Sequence, residues 1–134
     1  MRPLSRLAPD LRCLPISSVH IYFVGRPGSA WVLVDTGLPG CSREIIGAAE
    51  ARFGAGVLPE AIILTHGHFD HAGSALALGE YWDVPIYAHR LEMPYLTGRS
   101  PYPPPDPTIG GAIAFLSRFI PSRALDLGDR IREL

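Results

Sequence analysis

A chain of 134 residues with 47% hydrophobic content is long enough to bury a core and short enough for one domain. Its formal net charge is −1, and all 12 basic residues are arginines scattered from Arg2 to Arg132 among acids, so no basic stripe is offered to a phosphate backbone and nucleic acid is not expected as a partner. No apolar run approaches the ~20 residues that span a bilayer, and Arg2, Arg6, Asp10 and Arg12 interrupt the first 18 residues, which argues against both a membrane anchor and a signal peptide.

In chain order, residues 1–18 contain three prolines and no clear period, and read as an irregular lead-in with a short strand near Leu11. Val19–Val24 is rich in β-branched and aromatic residues and is expected to be a strand, with Arg26-Pro27-Gly28-Ser29 turning the chain into a second strand over Ala30–Val34. Asp35-Thr36-Gly37 closes that hairpin. Ser42 suits an N-cap for a helix over Arg43–Phe53, in which Ile45, Ile46, Ala49 and Phe53 share a face and which Gly54 and Gly56 stop. The apolar run Ala61–Thr65 reads as a strand covered on both faces. Ala72–Trp82 reads as a helix packed through Leu76, Leu78 and Trp82, and Val84–His89 as a further strand. Residues 97–107 hold five prolines and form a loop of polyproline character, in which Tyr102, with Tyr95 just before it, is a candidate for substrate contact. Ile109–Phe119 looks helical, and Leu125–Ile131 looks like a turn leading into a strand.

Three of the five histidines fall in Thr65-His66-Gly67-His68-Phe69-Asp70-His71, immediately after the Ala61–Thr65 strand. Neutral imidazole and carboxylate are the ligands that suit zinc and similar divalent ions. His66 and His68, two apart, project to one side of an extended backbone and can share one ion, while Asp70 and His71 need a turn to converge on a second. Two such ions about 3.5–4 Å apart can hold a water between them and bring its pKa towards neutrality. The isolated histidines His20 and His89 are expected to be structural. The two cysteines, Cys13 and Cys41, form no Cys-x-x-Cys pair; they permit one disulfide but indicate no disulfide framework, and unpaired thiols in a reducing, cytoplasmic setting are expected.

The run Leu64-Thr65-His66-Gly67-His68-Phe69-Asp70-His71-Ala72-Gly73 resembles the metal motif of the metallo-β-lactamase superfamily of hydrolases, and Val32-Leu33-Val34-Asp35-Thr36-Gly37 resembles that family's strand ending in Asp-Thr-Gly. The resemblance extends from about Val19 to the last residue. It implies an α/β fold, the αββα sandwich, of which this chain holds the amino-terminal half: one mixed sheet with flanking helices. It also implies that His66 and His68 bind the first metal and Asp70 and His71 the second, with Asp35 supporting the site rather than binding metal. The expected cofactor is zinc, as two ions in the intact fold, with iron or manganese as alternatives.

The family completes its site with residues from its second half, namely a histidine in a Pro-Gly-His segment, a bridging aspartate and a final histidine, and none of these occurs here. The expectation is therefore a single, incomplete domain over residues 1–134, with association of two chains through an exposed sheet face as the alternative. The activity implied is that of a metal-dependent hydrolase acting on a small molecule, in which metal-bound hydroxide, oriented by Asp70, attacks an ester, thioester, lactone or lactam carbonyl. Two rivals stand beside it: an iron-dependent thiol dioxygenase or flavodiiron-type protein, and a non-catalytic metal-binding fragment.

Overall fold

A computed structural model describes residues 4–100 and 125–134. Among the described residues seven strands form one mixed sheet whose spatial order is the chain order. β1 (Ser5–Ala8), β2 (Leu11–Ile16), β3 (Val19–Val24) and β4 (Val32–Val34) run antiparallel, and β5 (Ile62–Ile63), β6 (Ile86–Ala88) and β7 (Ile131–Glu133) continue parallel to β4. The antiparallel half needs only tight turns. The parallel half needs crossovers, and these carry α1 (Ser42–Phe53) between β4 and β5, then α2 (Phe69–Ala72) and α3 (Ala75–Trp82) between β5 and β6.

Register divides the sheet into two unlike faces. Phe23, Leu33, Ile62, Ile86 and Ile131 are successive lateral partners across β3 to β7, and none is more than 7% exposed. Ile45, Ala48, Ala49 and Phe53 of α1, with Ala75, Leu78 and Trp82 of α3, join them in one core. Trp31 is the hub of that core: its indole stacks on Phe53 at 4.2 Å and Phe23 at 5.9 Å and meets Trp82 edge-on at 5.8 Å. Each such side chain removed from water contributes about 1.5–3 kcal/mol, which makes this face the main source of stability. The next lateral row, Tyr22, Val34, Ile63 and Tyr87, lies on the other face and is only half-buried.

The Val19–Val34 hairpin forms as expected, with Tyr22 opposite Val34, and so do the strands at Ile62 and Ile86 and the helix ending at Phe53. Four expectations need correction. The stretch read as an irregular lead-in with a short strand near Leu11 holds that strand as β2, but pairs it with a strand that was not expected, β1, because Pro9 and Pro15 leave the β1–β2 pairing intact. Pro9 falls in the two-residue turn closed by Ala8 and Leu11, and Pro15 lies past Cys13, the last β2 residue paired with β1, where it stands opposite His20 of β3. Ser42 is the first residue of α1 rather than its cap; Cys41 takes the cap position, and its backbone N–H donates to Ser74 Oγ at 3.0 Å. The single helix expected over Ala72–Trp82 is broken at Gly73 and Ser74, with α2 beginning earlier, at Phe69. Leu76, expected to pack inward, is 37% exposed.

After β6 the chain makes a 3-10 turn at Arg90–Glu92 and the short helix α4 (Met93–Leu96). His89 Nδ1 accepts from the Leu91 N–H at 3.2 Å, the structural role expected of it. Gly128–Arg130 forms the turn before β7. Tyr102 and the helix expected over Ile109–Phe119 lie outside the described residues, as does most of the proline-rich loop. Among the described residues no helix is long and apolar enough to cross a membrane.

Candidate metal centre

The site grows from the carboxyl ends of two adjacent parallel strands, where layered α/β folds place their chemistry. Asp35 directly follows β4, keeps its place beside β5 by donating its N–H to Ile63 O at 2.9 Å, and then turns with φ +65°. That left-handed conformation is uncommon outside glycine, and aspartate is among the few side chains that tolerate it. The turn sends the Asp35 carboxylate inward, 3% of the residue remaining exposed, towards the end of β5.

There Asp35 gathers the histidine motif. Its Oδ1 accepts from the Thr65 backbone N–H at 2.9 Å; its Oδ1 and Oδ2 lie 3.0 and 2.8 Å from Thr65 Oγ1; and its Oδ2 lies 2.9 Å from His71 Nδ1. A carboxylate oxygen only accepts, so His71 carries its proton on Nδ1 and leaves the Nε2 lone pair outward. A histidine held this way by a carboxylate is the arrangement that supports metal-binding imidazoles.

The turn that brings Asp70 beside His71 is α2. It begins after His68, whose backbone is extended and whose carbonyl accepts from the N–H groups of His71 at 3.0 Å and Ala72 at 2.8 Å. α2 is fastened back to the Asp-Thr-Gly turn: the backbone N–H and hydroxyl of Thr36 both donate to His71 O at 2.8 Å, and Gly73 N–H donates to Gly37 O at 3.0 Å. Ser74 completes the seam by donating Oγ–H to Leu38 O at 2.6 Å, while its N–H reaches Thr36 Oγ1 at 3.2 Å. Thr36 and Ser74 are both fully buried and both hydrogen-bonded, which is how buried hydroxyls are kept from costing stability.

His66, Asp70 and His71 thereby offer ligand atoms that all lie within 4.8 Å of one another. His71 Nε2 faces Asp70 Oδ2 at 3.9 Å, and the His66 ring lies 4.1 Å from that of His71 and 4.9 Å from that of His68. His68 is more exposed and stands outside the three-residue group. Burial lowers the His66 pKa below the ordinary histidine value, and the His71 and His68 rings lower it further against the opposing pull of Asp35 and Asp70. That favours the neutral imidazole, the form with a lone pair to give. Two imidazoles and a carboxylate converging in this way fit a borderline divalent ion.

Three contributors were not singled out from the sequence. Thr36 stands in the Asp-Thr-Gly motif with no role of its own assigned to it, and Ser74 carries no signal beyond being small and polar. Thr65 does, since it directly precedes the first histidine, but its role depends on Asp35, 30 positions away. Glu92 is a fourth neighbour, its Oε2 lying 3.4 Å from the Gly67 N–H between His66 and His68. Tyr95, named as a candidate for substrate contact, is half-buried on α4.

Among the described residues, a mixed sheet flanked by helices thus carries a His-Asp-His cluster at its strand ends. The comparisons place it: the metallo-β-lactamase superfamily model matches residues 14–133, and the chain belongs to that family. A probable metallo-hydrolase of Bacillus subtilis, YflN, is 41% identical over 130 residues, covering 95% of this chain and 49% of its own length. A second from the same organism, YybB, is 42% identical over 85 residues, covering 63% of this chain and 36% of its own. The chain thus spans half or less of the curated relatives it resembles. Among solved structures, a B3 metallo-β-lactamase described as having an active-site glutamic acid superposes with a TM-score of 0.71 at 19% identity, covering 100% of this chain and 46% of its own. Rm3 metallo-β-lactamase superposes with a TM-score of 0.69 at 22% identity, covering 99% and 45%. These likenesses establish the shared fold.

Proposed function

We propose that the chain supplies the strand-end half of a zinc-dependent hydrolase site that acts on a small-molecule ester, thioester, lactone or lactam. The observation that carries this is the convergence of His66, Asp70 and His71, with Asp35 fixing the His71 tautomer. His66, His68, Asp70 and His71 are the proposed metal-holding residues, and Asp35 positions them. Divalent metal held there supplies Lewis-acid activation of water and of the carbonyl under attack.

The protein's own part is orientation. His71, pinned by Asp35, presents one nitrogen in one direction, and Asp70, half-exposed at the mouth of the site, can accept a hydrogen bond from the attacking water and aim it. Both cysteines are free thiols, one of them buried, which supports a reducing, cytoplasmic setting.

Metal analysis of the purified protein and zinc titration of the metal-free form test the reading. Zinc is expected to bind, and His71→Ala is expected to weaken it by tenfold or more, on the order of an outer-partner loss or greater. Hydrolysis of a chromogenic ester or lactone by the metal-loaded protein, abolished by Asp70→Ala, supports the hydrolase assignment. Iron as the copurifying metal, with no hydrolysis, overturns it in favour of an oxidative relative.

A further inference from the structure

The tautomer of His71 follows directly from its contact with Asp35, but His66 does not touch that carboxylate. What stands between them is Thr65. Its Oγ1 lies 2.8 Å from Asp35 Oδ2, 3.0 Å from Asp35 Oδ1 and 3.0 Å from His66 Nδ1. A threonine hydroxyl has one proton to give and lone pairs to receive.

Proton counting settles how the three groups fit. Asp35 has only lone pairs to present, so the hydroxyl proton points to Asp35. If instead it pointed to the imidazole, oxygen lone pairs would face each other at 2.8 Å, which is repulsive. With the hydroxyl proton committed, the contact to His66 is attractive only when Nδ1–H donates to Oγ1. His66 then carries its proton on Nδ1 and its free pair on Nε2, the same tautomer that Asp35 imposes on His71.

We infer that Thr65 is a positioning residue that relays the Asp35 carboxylate to His66, so that one buried carboxylate sets the tautomers of two proposed metal-binding histidines. The Thr65 backbone N–H, donating to Asp35 Oδ1 at 2.9 Å, fixes the residue from a second point and keeps the hydroxyl in register. Thr65 is exposed as a residue, so water competes for the relay. The effect is therefore graded, a preference in tautomer population rather than an absolute lock. The inference rests on the metal-site reading for its purpose, but the tautomer itself is a property of the metal-free chain.

Long-range nitrogen–proton NMR of the metal-free protein, at a pH where the imidazoles are neutral, reads the tautomer of each ring directly. His66 and His71 are both expected as Nδ1–H, against the Nε2–H form that free histidine side chains prefer. Thr65→Val removes the hydroxyl and keeps the shape, and is expected to return His66 to the Nε2–H form while His71 stays unchanged. Thr65→Ser is expected to restore the wild-type pattern. Zinc affinity, measured by competition with a chromogenic chelator, should fall about tenfold in the valine variant and recover in the serine variant. Wild-type His66 in the Nε2–H form, or a valine variant with unaltered tautomers, overturns the inference, and the wild-type spectrum alone decides it should the valine variant not fold. Failure of zinc to bind at all, with the tautomers as expected, would sink the metal-site reading and leave the relay standing.

Discussion

Asp35 carries conflicting demands that a single substitution can separate. Its backbone sits at φ +65°, which asparagine tolerates and alanine adopts at a cost of about 1–2 kcal/mol. Its carboxylate receives the Thr65 N–H, the Thr65 hydroxyl and the His71 Nδ1–H. Asparagine offers one acceptor oxygen and an NH2 group that would face a donor, whereas alanine offers nothing. Asp35→Asn is therefore expected to destabilise the metal-free protein by roughly 1–3 kcal/mol through unpaired donors. Asp35→Ala should cost about 1 kcal/mol more because the backbone strain is no longer tolerated. Urea unfolding of the two variants measures the gap. Zinc affinity should fall 10–100-fold in both, since both lose the group that holds His71. Wild-type affinity in either variant would remove Asp35 from the site.

At the scale of elements, the junction between α2 and α3 explains why two separate sequence motifs act as one unit. Gly73 has an ordinary helical backbone, so no positive φ calls for glycine there. What requires it is space: a Cβ at this position would overlap the backbone atoms Phe69 O, Pro39 N and Leu38 C, none of which belongs to a side chain that can swing away. Gly73→Ala should therefore destabilise by about 3 kcal/mol, the upper end of overpacking costs. The shift should also pull His71 from Asp35, so that zinc affinity drops with stability; thermal unfolding with and without zinc reads both. A glycine-to-alanine change that leaves the melting temperature unmoved would show that α2 is not pressed against the Leu38–Pro39 backbone.

The same junction marks where the sequence stops being legible. The β-branched and aromatic content of Val19–Val24 marks it as a strand, and the histidine spacing names its chemistry, so both could be read locally. The break at Gly73–Ser74 could not, because the apolar period runs on through it and the cause lies in hydrogen bonds to Thr36, Gly37 and Leu38, more than 30 positions earlier. The β1–β2 hairpin was hidden for the opposite reason. Its prolines are local breaker signals, yet Pro9 falls in the turn, and Pro15 stands in β2 opposite His20 of β3, past Cys13, the last β2 residue paired with β1. Thr65 was in view as a residue, but its role existed only once Asp35 had been folded beside it.

For the molecule as a whole, the unequal faces of the sheet matter most. Helices α1 and α3 seal the Phe23–Ile131 row, while the opposite face presents Tyr22, Val34, Ile63 and Tyr87 half-buried, with Val32 beside an exposed Val24. A sheet apolar on both faces calls for a layer on each, and half-buried apolar area of this kind can drive association. The 134-residue polypeptide expressed by itself is therefore expected to self-associate, with a sedimentation coefficient that rises with concentration. Val24 is the residue on which to test this, because at 37% exposure it adds to the apolar face without anchoring the core. Val24→Glu should shift the chain towards monomer and leave the urea midpoint nearly unchanged, surface substitutions away from special features costing within about 0.5 kcal/mol. Gain of solubility with loss of the fold, seen as a lowered midpoint, would mean that Val24 belongs to the core instead. A wild-type chain that sediments as a monomer throughout would mean that this face needs no cover.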